Sequence, residues 1–168
     1  MRRFMSALSN ALKNMNPSVT LRAVWSRLRN IPGGGVVMGR MLGVLAPYTG
    51  TIKPEVVTLE PGFSSIRLHD RRAVRNHLNS VHAIALLNLG EVATGTALLF
   101  TIPDNARGII VHLGMDYLKK ARGTLTAECN CPPISGTEKK QYDITADIKN
   151  EAGEVVARAH AKWQVGPV

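Results

Sequence analysis

The chain has 168 residues, 45% of them hydrophobic, with two cysteines and a formal charge of +9. That length and apolar content suit one globular domain with its own core, stable without disulfides or a structural metal. Nucleic-acid binding is disfavoured despite the basic balance, because only 5% of residues are aromatic and none interleaves the basic run.

The charge sits at the front. Residues 1–54 carry Arg2, Arg3, Lys13, Arg22, Arg27, Arg29, Arg40 and Lys53, and the first acid is Glu55. From about Arg2 to Leu28 the chain reads as two short helices broken at Asn16-Pro17, with Phe4, Leu8, Ala11 and Leu12 at helical spacing. Such a start suits a solvated helical face packed on the domain, an organelle transit peptide, or contact of residues 1–30 with an anionic membrane surface. No apolar core followed by a small-residue cleavage site marks a secretory signal, so the expected setting is cytoplasmic. Ile31-Pro32-Gly33-Gly34-Gly35 is a joint, and Val36 to Leu45 reads as a third short helix. Its Met38, Met41 and Leu42 make it a candidate lid over an acyl chain.

From Thr51 the period changes to two. Val57 and Leu59 precede the Pro61-Gly62 turn, and Ile66 and Leu68 follow it, the pattern of a hairpin. A long helix is predicted from about Val81 to Phe100, with Ser80 as N-cap and Ile102-Pro103-Asp104-Asn105 as terminator. It is apolar on nearly every side, so either lipid or protein surrounds it. Glu91 lies at its middle, where a charge costs about 2.5 to 3.5 kcal/mol on membrane-insertion scales, which favours a protein surround.

Four strands follow. Ile109, Val111, Leu113, Met115 and Tyr117 alternate, as do Leu125, Ala127 and Cys129, then Tyr142, Ile144, Ala146 and Ile148, then Val155, Ala157, Ala159, Ala161 and Trp163. Each is expected to bury one face, and the short joints predict antiparallel pairing of neighbours. Cys129 and Cys131 point the same way along one strand, poor geometry for a disulfide, and read as small buried hydrophobes in a reducing compartment.

Glu91 is the chemically arresting residue, since a buried carboxylate has either a partner or a shifted pKa, and shifted groups cluster at active sites. The competing reading ties it to Asn88, Thr94 or a strand residue for structural reasons. His82 reads equally as a helix-start histidine bonded to backbone, and Asn76 equally as a loop-capping amide. The five histidines show no metal-ligand spacing, so no metal is expected.

Two strands, a buried helix and four strands, with "RNHLNSVHAIALLNLGE" and "YLKKARGTL", resemble the hot-dog acyl-CoA thioesterases over residues 47–165, especially a poorly characterised bacterial branch. The family pattern is Asn or Gln, a His-Gly pair six residues on, and Asp or Glu nine residues after the His. Asn76, His82-Ala83 and Glu91 stand at those offsets. The resemblance implies an α+β hot-dog fold, an antiparallel sheet wrapped around a central helix, here at residues 47–168, with residues 1–46 as a basic helical extension. It also implies hydrolysis of an acyl-CoA, with coenzyme A as part of the substrate and no separate cofactor. Glu91 would be general base or nucleophile, the Ala83 amide an oxyanion donor at the helix start, and Asn76 an orienting group, with a substrate role open for His82. The basic residues Lys119, Lys120 and Arg122, with Arg75, are candidates for the coenzyme A phosphates. Across nine residues of helix His82 and Glu91 fall on opposite faces, about 13.5 Å apart along the axis. One chain does not bring them to one carbonyl, whereas a homodimer or dimer of dimers with antiparallel central helices does. Ala83 and Ile84 depart from the Gly-Gly of many relatives, and Ile110 stands where some carry a helpful Ser or Thr. Those departures keep a competing reading open, a non-hydrolytic acyl or lipid binder associated with a membrane.

Overall fold

The structure, a computed structural model, describes residues 16–168. The start of the chain, with Arg2, Arg3, Phe4, Leu8, Ala11, Leu12 and Lys13, and the first of the two expected helices lie outside the described residues. The expected break at Asn16-Pro17 is a helix start. Asn16 Oδ1 accepts the Ser18 amide at 3.0 Å, and Pro17 opens helix α1, Pro17–Leu28. Helix α2 spans Gly34–Leu45 and a single turn, α3, spans Pro47–Gly50.

The hairpin forms as β1, Glu55–Glu60, and β2, Phe63–Leu68. A short 3₁₀ turn at Arg72–Val74 leads to the long helix α4, Ala83–Thr101. Strands β3 (Ala106–Tyr117), β4 (Leu125–Asn130), β5 (Lys140–Lys149) and β6 (Val155–Pro167) complete one six-stranded sheet. All its pairings are antiparallel, in the order β1-β2-β4-β5-β6-β3. Every strand touches α4, as do α1 and α3. The helix is therefore wrapped by this protein's own strands, and Leu89, Ala93, Ala97 and Leu98 along it have no exposed surface. Burying such side chains stabilises the fold by about 1.5 to 3 kcal/mol for each large one.

Three sequence expectations need correction. Successive strands do not all pair: β3 turns away from β4 and hydrogen-bonds to β6 at the far edge, because residues 118–124 cross the end of the sheet instead of closing a hairpin. Nor does β3 bury one continuous face. Val111 has no partner between the Ile110–Trp163 and His112–Lys162 pairs, and this bulge reverses the alternation. Ile109 and Val111 consequently stand about half exposed while Leu113 and Met115 turn inward. Finally, the cap of α4 is His82, whose Nδ1 accepts the Ile84 amide at 3.1 Å; Ser80 instead bonds Asn76.

The N-terminal helices are fastened to the domain. Trp25 Nε1 donates to Leu59 O at 3.0 Å, and Arg22 spans the end of α4, donating to Leu99 O and Ile102 O and pairing with Asp104. One of the acid-free front-end cations thus caps the last carbonyls of the central helix. Helix α2 lies directly on the backbone of β1 and of the residue before it, because a Cβ at Gly35 would stand 2.0 Å from Val56 O and one at Gly39 1.7 Å from Pro54 O. Alanine favours a helix over glycine by about 1 kcal/mol. Gly39→Ala is nonetheless expected to destabilise by about 1 to 3 kcal/mol, read as a lower urea midpoint at unchanged slope, since the Pro54 carbonyl must move. The helix is packed closely on the domain, with Met38 fully buried beneath it.

The cysteines are free and buried, and burial pushes the Cys129 thiol up to about 12. It is therefore a packing residue with no thiolate at neutral pH.

Candidate active site

Glu91 projects from α4 into a cleft of about 190 Å³ walled by Leu42 and Leu45 of α2, Val92 and Leu99 of α4, and Trp163 of β6. Trp163 is held there by its Nε1, which donates to Thr94 Oγ1 at 3.3 Å. Gly95, one turn beyond Glu91, keeps the cleft open, since a Cβ there would sit 3.2 Å from the Trp163 ring. The Glu91 carboxylate has no hydrogen-bond or ion-pair partner among the described residues. The structural partners expected for it are engaged elsewhere: Thr94 Oγ1 donates to the backbone oxygen of Glu91, and Asn88 Nδ2 to Tyr48 O. Its surroundings are apolar, and that burial raises its pKa above the ordinary carboxylate value.

The start of α4 opens into a different cleft, of about 380 Å³, lined by Asn76, Ala83, Tyr117, Lys119 and Lys120 among others. Four of the residues singled out in the sequence therefore converge here: Asn76, Ala83, Lys119 and Lys120. Of the first amides of α4, Ile84 N–H is taken by His82, and Ala85 N–H and Leu86 N–H by His82 O. Ala83 N–H has no acceptor among the described residues, so the positive end of the helix dipole reaches the cleft through that one donor.

Asn76 is fixed by its own loop. Its Oδ1 accepts the amides of Leu78 at 2.9 Å and Ser80 at 3.2 Å, together with the Ser80 hydroxyl. The oxygen is therefore spent, and Nδ2 is the end left for a substrate oxygen. Tyr117, read in the sequence as a core residue of β3, is half exposed and donates its hydroxyl to Ala83 O at 3.1 Å. Its position at the strand end is what hid it.

The remaining candidates lie apart from this pair of clefts. His82 and Arg75 line a third one with Ile84 and Asn88, and Arg75 is held bidentately by Asp70 at 2.7 and 3.2 Å. Asp70 is pushed below its ordinary range chiefly by that guanidinium. Ile84 thus points away from the Ala83 donor and does not narrow its cleft, and Ile110 is held in the sheet opposite Trp163. Lys119 pairs with Glu154 at 2.8 Å, Lys120 is exposed with no ion-pair partner among the described residues, and Arg122 reaches Leu78 O at 3.5 Å. Among the described residues no group of three His, Cys, Asp or Glu side chains is arranged to hold a metal.

A family model described as a domain of unknown function, DUF4442, matches residues 34–165. Of solved structures, the genomics target APC5556 is 29% identical with a TM-score of 0.76, covering 88% of this chain and 98% of its own. A Pseudomonas aeruginosa protein of unknown function, described as a probable thioesterase, is 23% identical with a TM-score of 0.71, over 79% of this chain and 95% of its own. A Staphylococcus aureus thioesterase crystallised as a point mutant is 18% identical with a TM-score of 0.63, over 73% of this chain and 100% of its own. No curated protein matches the chain. The architecture is the α+β hot-dog fold that the sequence resembles, shared with thioesterases.

Proposed function

The chain belongs to the DUF4442 family, and from its hot-dog fold and the two separate clefts on its central helix we propose that it hydrolyses an acyl-CoA thioester at a site shared by two subunits. The observation that carries this reading is the split itself. Among the described residues Glu91 is an unpartnered, half-buried carboxylate in one cleft, and Ala83 offers a free helix-start amide in another. Each is half of a hydrolytic site.

A second copy completes both halves. Strand β3 ends the sheet, and its outer edge and its exposed Ile109 and Val111 suit pairing with another chain. In such a dimer the carbonyl of the thioester takes hydrogen bonds from Ala83 N–H and Asn76 Nδ2 of one subunit. Glu91 of the other removes a proton from water as its oxygen attacks the carbonyl carbon. The tetrahedral oxyanion then collapses, the carbon–sulfur bond breaks, and the coenzyme A thiolate leaves and takes up a proton. The raised pKa of Glu91 makes it a stronger base than an exposed carboxylate. Lys119 and Lys120, on the rim of the Ala83 cleft, meet the coenzyme A phosphates, while Arg75 and Arg122 serve the loop around Asp70 and Leu78.

The direct test is thiol release from acyl-CoAs of increasing chain length by the purified protein. Turnover of at least one of them is the expected result. Saturable acyl-CoA binding without turnover would instead establish the non-hydrolytic acyl binder.

A further inference from the structure

Helix α2 has a surface that thioester chemistry does not use. Its sequence, GGVVMGRMLGVL, contains one polar side chain, Arg40, yet only Gly34, Met38 and Gly39 are buried. A helix apolar on all sides is ordinarily surrounded by protein. Here Val36 and Val37 are exposed, Ile31 stands just before the helix, and Tyr48 just after it is 64% exposed.

Beside this apolar ridge runs a cleft of about 580 Å³ between α2 and the start of β1, with greasy walls at Val36, Val44 and Pro54 and three cations, Arg40, Lys53 and Arg71. Its one acid, Glu55, is already held by His69 at 2.6 Å and Arg67 at 3.6 Å. Among the described residues Arg40, Lys53 and Arg71 have no ion-pair partner, and residues 16–54 contain no acid at all.

We propose that this face seats the protein on an anionic lipid bilayer, with the apolar ridge of α2 in the headgroup boundary and one lipid phosphate between Arg40, Lys53 and Arg71. Exposed apolar side chains flanked by unpaired cations are the combination that binds an acidic interface, since area burial and surface potential then act together. A second copy of the same face fits poorly, because a two-fold contact would set these cations against their own counterparts. The proposal does not rest on the thioesterase reading.

The test is sedimentation of the full chain with vesicles of phosphatidylcholine alone and of phosphatidylcholine with phosphatidylglycerol. Binding to the acidic vesicles alone, weakening as salt rises, is expected. The double substitution Arg40→Glu and Lys53→Glu should weaken it at least about tenfold. Val37→Ser with Tyr48→Ser should weaken it while leaving its salt dependence in place. Reversal of two exposed charges elsewhere, Lys139→Glu with Lys140→Glu, should leave it within about twofold. Glycerol phosphate should not compete, because a free phosphate lacks the interface. No binding by the wild type, equal losses for both charge reversals, or α2 variants that change the oligomeric state in light scattering would overturn the proposal.

Discussion

Glu91→Gln is expected to lower kcat for acyl-CoA hydrolysis by about 10² to 10⁴, the range a positioned general base supplies. It is expected to do so without loss of stability. The folded carboxyl keeps its proton to higher pH than its ordinary value of 4.5, because burial disfavours the charged form. Between 4.5 and the raised value the native chain binds more protons than the unfolded one. The stability this group contributes is therefore complete below 4.5 and is lost as pH rises through the raised value. Glutamine carries no such cost, so the Tm difference in favour of the variant should open as pH climbs through that window and hold steady above it. In the wild type, kcat/KM should fall on acidification with an apparent pKa above the usual carboxylate range, and the residual activity of the variant should lack that limb. Unchanged activity in the variant would remove Glu91 from the mechanism. A variant less stable at neutral pH would show that the carboxylate has a structural partner.

Much of the fold was legible because the periods were clean. The hairpin at Pro61-Gly62, the apolar run that became α4 and the alternation of β4, β5 and β6 each follow from one uninterrupted pattern. What escaped was set by single residues or by distant pairing. The bulge at Val111 reverses a face without leaving any mark in composition, and the placement of β3 beside β6 is decided by the sheet as a whole. The candidate site was legible as spacing and not as geometry. The offsets of Asn76, Ala83 and Glu91 pointed to the central helix and the loop before it, yet nothing in them said that Asn76 Oδ1 would be consumed by Ser80 and Leu78, or that Arg75 would be claimed by Asp70. Short polar side chains in loops satisfy the nearest backbone first, and which end remains free depends on coordinates. Tyr117 was hidden for a different reason: its period assigned it to the core face shared with Leu113 and Met115, but it is the last residue of β3, where that face opens onto the rim of the Ala83 cleft.

Two inactive variants, mixed, should recover about a quarter of wild-type activity if each site is built from two subunits. The partner for Glu91→Gln is Asn76→Asp, which is nearly isosteric and keeps Oδ1 for the Ser80 and Leu78 amides, so the loop stays in place. It replaces the free Nδ2 donor with a carboxylate oxygen that repels a developing oxyanion, a loss of about 10² to 10³ in kcat. In a mixed dimer one site combines two altered residues and is dead. The other combines the intact Asn76 and Ala83 of one chain with the intact Glu91 of its partner. Half the dimers formed from equal amounts are mixed, and half their sites are whole. A site contained within one protomer gives a different result, because every chain in the mixture carries one defect and no exchange repairs it. Recovery that appears only after the subunits are allowed to exchange therefore separates the shared site from the self-contained one. Recovery near zero, with mixed dimers confirmed by mass, would confine the chemistry to a single chain. The roughly 12 Å of helix between Ala83 and Glu91 would then have to be bridged by something other than a second helix.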